Sequence, residues 1–305
     1  MHVPILFYDV KLNENIMGKT SQSNKSILNI TKPKVYWHEH THYELQELIP
    51  QLKVALIPTG STEIHGPHLG VGNDILSCMR VAEEVAMKMY PRAVVVNVLW
   101  IGVAPHNMTA SFPGTITLSA TTYMQVLREA IESLVKHGIR KITLINGHGG
   151  NEAPNITACR EIRETIYYHY RVNVEIGTFS YWDMIPENVW HQVLDHEPQR
   201  KIGHGGEAET SILLAVAPHA VRLDLARPPD TRPRPTPPFF RAWYQDEYSP
   251  NGHTDDARAA HIDKGHKLLE AAVTGTVAAL EDFITYCPVG TRSHPGIHRF
   301  PDPGN

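Results

Sequence analysis

Residues 141–151, KITLINGHGGN, run a short apolar, β-branched stretch straight into a glycine-rich loop that carries a single histidine, His148. The run reads as a strand, and the segment after it, from about Glu152 to Tyr170, has the length and spacing of a helix. Outward from this unit the same pairing recurs. Upstream, Lys53 to Pro58 (KVALIP) precedes a helical segment from about Ile75 to Met89. Ala93 to Leu99 (AVVVNVL) is followed by a long loop through Phe112 and a helix from about Thr121 to His137, with Gly138 placed as its closing glycine. Downstream, Val172 to Phe179 opens a long connection to His204, and EAETSILLAVA then reads as another helix. Strands alternating with helices predict an α/β domain whose helices cover both faces of a mostly parallel sheet.

The ends and one interior stretch break the pattern. Residues 1–33 are polar and weakly patterned, so they read as an extension ahead of a single domain over 34–290. Residues 226–240, ARPPDTRPRPTPPFF, hold too many prolines for a helix or a central strand and read as a surface loop or arm. A last helix is expected from about Asp255 to Tyr286, and 291–305 as an irregular tail.

Composition excludes several function classes. With 42% hydrophobic and 20% charged residues, the 305-residue chain is neither disordered nor a coiled coil. A net charge of −4 and no long basic run argue against nucleic acid as a partner. No stretch approaches the roughly 20 apolar residues that span a bilayer, and the start does not read as a secretory signal. Three widely spaced cysteines, Cys78, Cys159 and Cys287, suit a reducing compartment, are expected as small buried hydrophobes, and predict a cytoplasmic protein.

In an open α/β sheet, ligands bind beyond the carboxyl ends of the strands. Three loops in such places are rich in metal-type ligands. Glu63 and His65 stand two apart in a glycine-rich stretch, so both side chains can point the same way. Asp74 follows at a helix start, where capping the helix is its alternative role. His68 can face substrate or support its neighbours. His148 lies among glycines that let the backbone approach a ligand, with Asn146 before it and Asn151 placed to cap the next helix. His204, Glu207 and Glu209 form the third group; the glutamates fall in a first helical turn, where they also complement the dipole. Mixed histidine and carboxylate ligation suits Zn²⁺ or Mn²⁺, with Fe²⁺ a further candidate, and a set of five with one bridging carboxylate suits two ions. Such a pair activates a shared hydroxide and polarises a carbonyl, so hydrolysis needs no protein nucleophile. The chain has no GxSxG elbow.

The strings GSTEIHGPHLGVGND (60–74), NGHGGN (146–151) and HGGEAETS (204–211), in this order, resemble the creatininase, or creatinine amidohydrolase, family over about residues 50–285. SPNGHTDDARAAHIDKGHKLL (249–269) is similar to that family's closing segment. The resemblance implies a three-layer α/β/α sandwich, a binuclear metal centre, hydrolysis of an amide-type C–N bond in a small cyclic substrate, and a homo-oligomer, often a hexamer. By position, Glu63 and His148 would hold one ion, His65 the other, and Asp74 both. His204 would match the catalytic histidine, Glu209 the glutamate of the ETS element, and Glu207 nothing in the family pattern. Where the creatinine-cleaving enzymes resemble NGHYEN, this chain has Gly149 and Gly150, so the second ion needs another carboxylate, for which Glu209 is the candidate. The missing tyrosine argues against creatinine itself. The rival readings are a hydrolase that opens a cyclic diketone such as 3-dehydro-scyllo-inosose by C–C cleavage, and a non-catalytic binding protein of the same fold.

Overall fold

The computed structural model describes residues 33–97, 99–195, 202–233 and 239–290. The chain divides between Lys34 and Val35 into two units. The first lies outside the described residues except for Pro33 and Lys34, as do the expected tail and residues 234–238 of the proline-rich loop.

Four strands form one sheet: β1 (Val54–Thr59), β2 (Ala93–Val95), β3 (Lys141–Asn146) and β4 (Glu175–Ser180). Every pairing is parallel, in the order β2-β1-β3-β4. The helices are α1 (His42–Leu48), α2 (Asn73–Met89), α3 (Ala120–Lys136), α4 (Glu152–Tyr170), α5 (Glu187–Val193), α6 (Glu207–Val216), α7 (Gln245–Tyr248) and α8 (Ile262–Tyr286).

Side-chain alternation along the strands makes the two outer layers. Val54 and Leu56 of β1, with Ile145 of β3, pack under α2, α6 and α8. Ala55 and Ile57, with Ile142 and Leu144, face α3 and α4 on the other side. Both central strands are buried throughout, which is why they read as continuous apolar runs. This is the three-layer α/β/α sandwich. From β1 the chain steps outward to β2, then crosses back to β3 and β4, so the direction of winding reverses between β1 and β3. The crevice at their carboxyl ends is where such sheets bind ligands.

Several boundaries differ from expectation. β2 ends at Val95, although Val96 still donates to Leu56 O at 2.8 Å and Leu99 makes a single bridge to Thr59. β4 starts at Glu175, because Arg171 closes α4 in the left-handed region (φ 52°) and the chain must turn before it pairs. α8 starts at Ile262, seven residues later than expected: His261 caps it by accepting from Asp263 N at 3.2 Å, and Asp256 ties up Arg258 N in a local turn. α1, missed in the sequence, is set by a capping box of Thr41 and Glu44. Cys78 and Cys159 are buried free thiols, but Cys287, just past the end of α8, is exposed. Among the described residues no helix is long and apolar enough to cross a membrane.

Candidate metal centre

The loop after β1, the first turn of α2, the loop after β3 and the first turn of α6 meet in the crevice. They bring together Glu63, His65, Asp74, His148 and Glu209, each buried. Asp74 sits at the centre and divides its carboxylate: Oδ1 is 2.9 Å from His65 Nε2 and Oδ2 is 3.1 Å from His148 Nδ1. Glu63 Oε1 lies 3.1 Å from His148 Nδ1, and Glu209 Oε1 lies 3.6 Å from His65 Nε2. Two triads therefore share Asp74, one with Glu63 and His148, the other with His65 and Glu209, and the ligand atoms within each lie within 4.8 Å of one another.

The imidazoles are preset. His65 Nδ1 faces the carbonyl of Glu63 at 3.1 Å, and His148 Nε2 faces that of Val103 at 3.1 Å. A carbonyl only accepts, so those nitrogens carry hydrogen and the lone pairs of the neutral rings point at the carboxylates. This is how a protein fixes the tautomer of a metal-binding histidine. Gly150 is required for it, since a Cβ there would stand 2.3 Å from both His148 Nε2 and Val103 O.

The charges do not balance without a cation. Among the described residues no lysine or arginine stands at ion-pair distance from Glu63, Asp74 or Glu209. Three buried carboxylates then lean on two imidazoles, an arrangement that is costly unless a cation compensates it. Protons fill that role when metal is lacking. Burial works against a charge on His148, but Glu63 and Asp74 prevail and hold its pKa near 10. His65 is likewise raised, against burial, by Asp74 and Glu209. Burial pushes the Glu209 carboxyl up, outweighing the pull of His65. Asp74 and Glu63 run the other way: burial alone would raise them, yet the neighbouring imidazoles bring both below the usual range. The donor set of hard carboxylates and borderline imidazoles fits Mn²⁺ or Zn²⁺.

The other residues singled out in the sequence take distinct places. His204 stands at the rim, its ring 4.3 Å from that of His65 and its Nδ1 3.8 Å from Glu63 Oε1; burial, reinforced by His65, lowers its pKa to about 3. Asn146 staples the loop, donating to His148 O at 2.7 Å and accepting from His148 N at 3.2 Å. Asn151 occupies the N-cap position of α4 without capping it; its side chain instead joins Val103 N to Gly60 O, 2.9 Å on each side. Glu207 turns away, accepts from Asp195 N at 3.0 Å and pairs with Lys264. His68 is buried behind the centre, 3.1 Å from Thr210 Oγ1 and edge-on to His253. Asp74 lies one residue inside α2 and does not cap it.

Sequence reasoning missed Asn107 and His106. Asn107 donates Nδ2–H to Glu63 Oε2 at 2.5 Å, leaving Oε1 for His148. The His106 ring lies parallel to that of His148, 6.4 Å away, and edge-on to Trp243. Their position after β2, at the same end of the sheet, was the available signal.

A family model described as Creatinine amidohydrolase matches residues 38–280. The chain belongs to the creatininase family. Within it, creatinine amidohydrolase of Pseudomonas putida is 31% identical over 245 residues, covering 75% of this chain and 89% of that one. The 3-dehydro-scyllo-inosose hydrolase of Thermotoga maritima is 27% identical over 236 residues, covering 73% of this chain and 65% of that one. The solved structure named Creatininase Mn superposes with a TM-score of 0.71 at 27% identity, covering 83% of this chain and all of that one. These likenesses make the chain a creatininase-family hydrolase with an α/β fold.

Proposed function

We propose that this creatininase-family hydrolase holds two divalent ions, Mn²⁺ or Zn²⁺, one between Glu63, Asp74 and His148 and one between His65, Asp74 and Glu209, and cleaves an amide-type C–N bond in a small cyclic substrate. The observation that carries this reading is the division of the Asp74 carboxylate between two imidazoles whose lone pairs are preset toward it. The ions supply a lowered pKa for water and a Lewis acid for the substrate carbonyl.

The chain supplies everything else. Asn107 fixes one oxygen of Glu63 and so commits the other to the centre. Asn146 holds the His148 loop, and the Val103 carbonyl holds its ring. His204, partly open at the rim beside Glu63 and His65, is the group that accepts a proton and passes it to the leaving nitrogen. His106 lies parallel to the His148 ring and edge-on to Trp243, so both stand beside the centre.

Similarity to the inosose hydrolase favours a second reading, in which the same centre opens a cyclic diketone. One experiment separates the two. Protein loaded with Mn²⁺ or Zn²⁺ is incubated with creatinine, other cyclic amides, formamides and 3-dehydro-scyllo-inosose, and the products are identified by mass. A ring-opened product heavier by one water from a cyclic amide, or an amine freed from a formamide, supports the C–N reading; cleavage of the inosose alone replaces it; a protein that takes up no metal fails both.

A further inference from the structure

Among the described residues no side chain holds His204 by a hydrogen bond, although its ring lies 4.3 Å from that of His65. The His204 Nε2 is buried without a hydrogen bond, and its Nδ1 stands 3.8 Å from Glu63 Oε1, beyond hydrogen-bonding reach. His65 and His148 differ, since each donates to a backbone carbonyl. A group that moves protons needs a third element to hold its ring. For His204 the hydrogen bonds that the described residues supply act through the backbone.

The backbone around it is gripped from one side by Thr254 and Asp255. His204 N donates to Asp255 Oδ2 at 3.3 Å, and His204 O accepts from Thr254 N at 2.8 Å. Thr254 Oγ1 donates to the same Asp255 oxygen at 2.6 Å, which fixes the carboxylate in turn. The loop curls round this carboxylate closely. Gly203 is in the left-handed region (φ 76°), and a Cβ there would meet Asp255 Oδ2 at 2.4 Å; one on Gly206 would meet Asp255 Cβ at 2.5 Å. The gripping segment is itself tied to the metal loop, where Gly66 N donates to Gly252 O at 2.9 Å. One short segment thus registers the His204 loop against the His65 loop.

We propose that Asp255 is a positioning residue for His204: its buried carboxylate, filling the curl of 203–206, sets the place of the imidazole over the centre. The proposal rests on the proton-transfer role given to His204 above. It gives a reason for the break between the expected and actual start of α8, since a helical Asp255 would leave the loop ungripped.

The test uses the full-length Zn²⁺-loaded protein. Crystal structures of wild type and Asp255→Ala should show the His204 ring displaced by about 1 Å or more, a shift of the size that costs roughly a hundredfold in rate. Asp255→Asn, whose amide oxygen still accepts, should keep the ring in place, which also covers the case where the alanine variant folds poorly. With whichever compound of the panel above the wild type cleaves, Asp255→Ala should lower kcat roughly 10–100-fold with KM and metal content unchanged. In a His204→Ala background the same change should cost nothing further. An unmoved ring in Asp255→Ala, or an equal loss of kcat with and without His204, overturns the proposal. If His204→Ala alone keeps full turnover, the role of His204 fails instead, and the crystallographic comparison still decides whether Asp255 places it.

Discussion

His148 donates its Nε2–H to the carbonyl of Val103 across 3.1 Å, and the contact passes directly over Gly150. Two consequences meet here. The contact turns the lone pair of His148 toward Asp74 and Glu63, and it leaves no volume for a side chain at 150. The carboxylate that stands beside His65 and Asp74 comes instead from α6, as Glu209.

Gly150→Ala should dislodge His148, because its new Cβ would press on a backbone oxygen that cannot yield. Loss of this supporting contact should weaken metal binding roughly 10–100-fold, read by competition with a chromogenic chelator. Gly149→Ala, which would meet nothing within 4 Å, is the control and should bind as wild type does. Equal affinities for all three proteins would disprove the role of the Val103 contact.

Glu207 and Glu209 should separate cleanly. Glu209→Ala should lose about one ion per chain by elemental analysis, since it leaves His65 and Asp74 without their third partner. Glu207→Ala should keep both ions and instead lower stability by about 1–3 kcal/mol in denaturant unfolding, because it strips a charged partner from Asp195 N and from the partly exposed Lys264. Metal loss in Glu207→Ala would reverse the assignment.

Metal uptake should expel protons. The pKa of His148 near 10 and the raised pKa of His65 mean that both rings are charged at neutral pH before metal enters. Ligation needs them neutral, so loading at pH 7 should release about two protons per chain, measurable as buffer-dependent heat in calorimetry, and metal affinity should rise with pH. The stability of the metal-free protein should run the opposite way. A raised folded-state pKa contributes fully below the unfolded value, about 6.5, and is lost as pH climbs through the folded one, so the contribution of His148 fades toward pH 10. Loading that releases no protons would show that the two rings are not ligands.

Much of this was legible in the sequence. α4 runs from Glu152 to Tyr170 as expected, and the two central strands deviate by only a residue at their ends, because apolar runs bounded by glycine or polar loops are local signals. The convergence of the three loops followed from a rule about sheets. What could not be read depends on partners far along the chain. Glu207 and Glu209 lie two apart in one helical turn, about 200° round the axis, so only one can face His65; Lys264, 57 residues on, fixes which. Asn107 reaches Glu63 across 44 positions. Asp255 leaves the expected helix because a loop before α6 closes on it.

Anomalous diffraction at the zinc edge from crystals of the Zn²⁺-loaded protein tests the central claim most directly. Two peaks roughly 3.5–4 Å apart, with one oxygen of Asp74 toward each, are the expected result. A single peak, or peaks away from Asp74, would contradict it.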